Sequence, residues 1–88
     1  MSEQVVNIAK QMYDSRRLAL SLLGPEKFKA KIAEYQPLIH GIMKKLTCNE
    51  IVATTDLIRI LVNGGHDGMP VMLALAACVE LLEPTEGL

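Results

Sequence analysis

Between Asp67 and Glu80 the chain carries no charge: Gly68 to Val79 reads GMPVMLALAACV. A helix with that sequence has no polar face to give to water, so other protein must cover it all round. At 1.5 Å per residue it spans roughly 18 Å, well short of the ~30 Å hydrocarbon core of a bilayer. The stretch therefore predicts a core helix, or one buried between subunits, and no membrane span. Ala74, Ala76, Ala77 and Cys78 are small enough to let neighbouring backbones pack close.

What surrounds that helix follows from length and composition. Eighty-eight residues make one domain. Half of them are apolar but only 3% are aromatic, so the core is aliphatic. That palette favours helices over a sandwich or barrel. Two cysteines and no hydrophobic leader in MSEQVVNIAK argue against a secreted disulfide scaffold and for a reducing cytoplasm. The net charge of −1 hides an asymmetry. Residues 1–47 hold eight Lys/Arg and four Asp/Glu, giving +4; residues 48–88 hold one Arg and six Asp/Glu, giving −5. Such halves can pack on each other or on a second copy, or simply be solvated.

Apolar spacing predicts four helices joined by very short turns, an all-α compact bundle with the C-terminal apolar helix central. The first covers about 3–23, capped by Ser2, with Val5, Ile8, Ala9, Met12, Ala19, Leu22 and Leu23 on one face. Lys10, Asp14 and Arg17 are spaced for ion pairs on another. Gly24-Pro25 closes it and opens the second, about 25–46. There Phe28, Ile32, Tyr35, Ile39, Ile42 and Leu46 step in alternating fours and threes, a heptad-like seam. Pro37 interrupts this run; the register survives on both sides, so a kinked helix is expected, with a break near Gln36 as the alternative.

Thr47-Cys48-Asn49-Glu50 has the spacing of a capping box, with Leu46 and Ile51 placed for a hydrophobic staple. The third helix then runs about 48–63, with Ile51, Thr55, Ile58 and Val62 on one stripe and Leu57 and Leu61 beside it, ending at Gly64-Gly65. The fourth covers about 69–83, capped by Asp67 and closed by Glu83-Pro84, with TEGL as a frayed tail.

Three features invite a functional reading. The Gly64–Gly68 loop places His66 and Asp67 before a helix N-terminus, where an anion could dock, but no phosphate-loop motif is present. His40, Cys48, His66 and Cys78 are scattered one to an element, which does not point to a metal; no cofactor or catalytic residue is assigned. His40 reads as a half-buried residue beside the seam, and Cys78 as a core residue.

Basic residues around the Gly24-Pro25 turn are the second feature. Tyr13, Arg16, Arg17 and Lys27, with His66, are the candidate phosphate or ligand contacts. A pI of 6.1 and the lack of a polar recognition helix argue against nucleic acid.

The third is surplus hydrophobicity. Three amphipathic helices cover only part of an all-apolar fourth, and the rest becomes an interface, most simply a two-fold one. Met69, Met72, Leu75 and Val79 are the candidate interface.

Taken together, these features describe a small, cytoplasmic, non-enzymatic protein–protein interaction module, acting as a homodimer or in a complex, with no membrane contact. An adaptor, a regulatory subunit or an inhibitor fits, and inhibitors encoded by phage or mobile elements share this size. The alternative is a nucleotide or nucleic-acid phosphate binder that uses the basic face of the first two helices.

Overall fold

Residues 3–83 are described by the computed structural model, with side chains from residue 10 onward. They form four helices and no strand: α1 (Glu3–Leu23), α2 (Pro25–Leu46), α3 (Glu50–Asn63) and α4 (Met69–Leu82). The architecture is an all-α bundle in which α4 packs against each of the other three helices, while α1 and α3 do not approach each other closely. The expected Ser2 cap, the side chains of Val5, Ile8 and Ala9, and the tail beyond residue 83 lie outside the described residues.

The α1–α2 corner is a single residue. Gly24 adopts φ 83 and ψ 161, a backbone region open essentially to glycine alone. Its N–H donates to Leu20 O at 2.9 Å and its carbonyl accepts from Phe28 N at 2.9 Å, so one residue ends one helix and starts the next. Pro25 follows at the first turn, where its missing N–H costs nothing. Farther along, α2 continues unbroken through Pro37, so no break occurs at Gln36. Ala33, whose carbonyl loses its helical donor there, is exposed and can turn to water.

The α2–α3 junction differs from the expected capping box. Thr47 belongs to the end of α2, in the left-handed conformation with φ 53, and the N–H of Cys48 reaches back to Met43 O at 3.1 Å. Asn49 is the cap of α3: its side-chain oxygen accepts from Val52 N at 2.9 Å. An Asn beside Thr caps at least as well, and a left-handed Thr47 cannot also hold the extended backbone that a cap requires. The staple is displaced with it: Leu46 and Ile51 are both exposed, and Cys48 and Ala53 take the core-facing positions.

Asp67 likewise does not cap α4. Gly68, with φ 74, holds that position without any side-chain hydrogen bond. At the end of α3, Gly65 takes the left-handed turn, His66 N donates to Leu61 O at 2.7 Å and Gly65 N to Val62 O at 3.0 Å, a Schellman pair that satisfies the last carbonyls.

α4 is as buried as its sequence demands. Leu73, Ala74, Ala76, Ala77, Cys78 and Val79 are all buried, and every other residue from Met69 to Leu81 is at least half-buried. Its alanines let α1, α2 and α3 close around it, and the cluster is completed by Phe28, Ile32, Ile39, Ala53 and Leu57. Phe28 and Ile39 are the largest fully buried side chains, each contributing about 1.5–3 kcal/mol by leaving water.

The heptad-like seam of α2 is inward from Phe28 to Ile42, with Tyr35 and Ile42 half-buried, but Leu46 turns out to solvent. On α1, Met12 and Ala19 are buried while Leu22 is 61% exposed. His40, expected beside the seam, is exposed.

Candidate functional site

Along α1, Tyr13 and Arg16 face the C-terminal turn of α4. The Tyr13 hydroxyl donates to the Glu83 carboxylate. Arg16 Nε donates to Glu80 Oε1 at 2.6 Å in a pair whose side chains are only 17% and 10% exposed. The residue numbers run in opposite senses across these two contacts, so α1 and α4 are antiparallel. The Arg16 guanidinium also lies 5.7 Å from the centroid of the Phe28 ring, a cation–π contact that ties α2 into the same corner. Among the described residues Lys10, Asp14 and Arg17 form no ion-pair ladder with one another; Arg16 pairs with Glu80 through tertiary contact.

The hydrogen bond to Glu83 holds the Tyr13 phenol above its ordinary range; desolvation and the Glu83 charge add to the rise and Arg16 opposes it. Burial does the same to Tyr35. Cys78 is raised by burial and by Glu50, and is lowered less by the Thr54 hydroxyl, which would donate to a thiolate. With the thiol neutral, that hydroxyl is buried without a hydrogen-bond partner.

The five candidate ligand residues therefore do not form one site. Tyr13 and Arg16 are committed to carboxylates within the chain. Arg17 is exposed on α1, and Lys27 is exposed beside an open surface depression lined also by Leu23, Gly24, Pro25 and Glu26. His66 is exposed in the α3–α4 loop, before the N-terminus of α4 and thus about 20 Å along that helix from Glu80. Among the described residues no three His, Cys, Asp or Glu side chains gather as a metal site, and no helix is long and apolar enough to cross a membrane.

The candidate interface residues sit against the chain's own core. Val79 is 3% exposed and packs with Met12 and Cys78; Leu75 lies half-buried on that group, and Met69 and Met72 half-buried on the main cluster. Folding thus moves the apolar surplus from α4 to its wrappers. Leu18 and Leu22 on α1, Leu38 and Leu46 on α2, and Ile51, Val52, Ile60 and Val62 on α3 are all exposed.

On α3 the surplus is ordered. Ile51, Thr55, Ile58 and Val62 follow intervals of four, three and four, the spacing of a helix-pairing seam; Ile58 is half-buried against the chain's own core, while Thr55 is exposed and Ile51 and Val62 are 43% and 51% exposed. Ala53, Thr54 and Leu57 are the residues α3 buries. Asp56 and Arg59 of the same helix bind each other at 2.8 Å. The sequence signal for this face was the presence of two apolar stripes on one fourteen-residue helix, one more than a bundle helix needs. Comparison of the chain with protein-family models, with curated proteins and with solved structures gives no match.

Proposed function

We propose that this chain is a small, non-enzymatic protein–protein interaction module of the cytoplasm that self-associates through the outward stripe of α3. The observation that carries the reading is the Ile51–Thr55–Ile58–Val62 seam, whose spacing suits a partner helix and whose two outer members stand in solvent. A two-fold pairing of α3 with its copy buries that seam with the same surface on both sides. The Asp56–Arg59 pair, closed on itself, adds no like-charge repulsion across it.

Sedimentation equilibrium at micromolar concentration tests this. The expected result is a dimer that resists salt and becomes a monomer on Ile51→Glu plus Val62→Glu, substitutions at exposed positions that leave the fold intact. A monomeric wild-type chain, or a dimer indifferent to both substitutions, overturns it.

A further inference from the structure

The outward face of α2 is a second surface, chemically unlike the α3 seam. Phe28, Ile32 and Ile39 point inward, so the 3.6-residue turn sends Lys27, Lys31 and Lys45 along one outer flank and Lys29, His40 and Lys44 along the other. All six are exposed. The five lysines of α2 face two glutamates, a net +3, and the pairing present is Lys31 with Glu34 at 3.6 Å, fully at the surface. Between the flanks run Ala33, Pro37 and Gly41, all exposed, and nothing stands within 4 Å of where a Cβ at Gly41 would be. Leu38, half in solvent, stands in the Lys31–Lys45 row at the edge of this lane. From Lys27 to Lys45 the face is about 27 Å long.

We infer that this face docks an acidic amphipathic helix of a partner protein, its apolar stripe on Leu38 and the shallow lane beside it, its carboxylates reaching the lysine rows. Charge complementarity selects the occupant. A second copy of the chain offers a poorer match: among the described residues Glu80 and Glu83 hold Arg16 and Tyr13, Asp56 holds Arg59, and the exposed Asp14 and Asp67 stand on different elements and form no acidic row. A nucleic acid fits less well. The face carries no aromatic ring to stack a base, since Phe28 is buried and Tyr35 faces the core. The exposed Leu38 is matched by an apolar side chain and not by a phosphate.

The inference is independent of the α3 seam and can be tested separately. The isotope-labelled full chain is titrated with a synthetic amphipathic helix bearing Leu on one stripe and Glu on its flanks, with the same peptide carrying Gln for Glu, and with single- and double-stranded oligonucleotides. Amide shifts confined to residues 27–45, affinity for the Glu peptide at least about tenfold above the Gln peptide, and a steep loss with salt support it. So does loss of binding in Lys27→Glu plus Lys31→Glu plus Lys45→Glu, and separately in Leu38→Asp, each checked for retained helicity and for unchanged self-association. No α2 shifts with the Glu peptide, equal affinity for the Gln peptide, or tighter binding of an oligonucleotide to the same face overturns it.

Discussion

Gly24 and Gly41 flank and occupy the same helix, and changing each to alanine should move stability in opposite directions. At neither position does an added Cβ meet an atom within 4 Å, so sterics cancel from the comparison. What remains is backbone. Gly41 has ordinary helical geometry inside α2, where glycine is about 0.5–1 kcal/mol worse than alanine, so Gly41→Ala should stabilise by that amount. Gly24 sits at φ 83, ψ 161, where an L side chain costs about 1–3 kcal/mol, so Gly24→Ala should destabilise by that much. Urea denaturation followed by far-UV circular dichroism reads both. For a slope of roughly 1–3 kcal/mol/M the two midpoints should separate by about 1 M, with slopes unchanged. Semisynthetic D-alanine at position 24, whose preferred backbone is the mirror image, should restore or exceed wild-type stability. Equal shifts of the same sign for Gly24→Ala and Gly41→Ala, or a D-alanine no better than the L form, would refute the geometric reasoning.

The caps of the α2–α3 junction make a second pair: Asn49→Ala should cost about 1 kcal/mol, while Thr47→Gly, which relieves a left-handed β-branched residue, should be neutral or stabilising by thermal melt. Thr54→Val keeps the buried shape and removes the unpartnered hydroxyl, so it should raise the urea midpoint; a fall of more than about 1 kcal/mol would mean the hydroxyl is bonded. Stability should also fall on the alkaline side. Cys78 lies above its ordinary 9.0, and Tyr13 and Tyr35 above 10.0. A group whose folded value is raised contributes fully below its unfolded value and loses that contribution as pH climbs through the folded one. The midpoint should hold level to about pH 9 and then decline, with Cys78→Ala removing the earliest part of the decline.

Much of this architecture is legible in local spacing. The uncharged run from Gly68 to Val79 demands burial, and α4 is indeed wrapped by all three other helices. Gly24-Pro25 and Gly64-Gly65 mark real corners, because positive φ and a missing N–H are local properties that tertiary context seldom overrides. What spacing does not settle is which of two adjacent choices wins. Thr47 and Asn49 can each cap, and the end of α2 took Thr47 first. On α3, two apolar stripes compete for the core, and Ala53 and Leu57 went inward because α4 presents alanines and leaves room for close approach. The roles of Tyr13 and Arg16 were illegible for a different reason: their carboxylate partners lie 70 and 64 positions away, beyond any local pattern.

That long separation has a bearing on how the molecule comes into being. α1 shares little with α2, its immediate neighbour in the chain, and nothing close with α3; its mate is α4. During synthesis α1 lacks its main partner, so the side it lays on α4 waits in water until some fifty further residues have left the ribosome. Docking of α1 thus depends on α4, and the Arg16–Glu80 and Tyr13–Glu83 contacts are the latch that closes when the two meet.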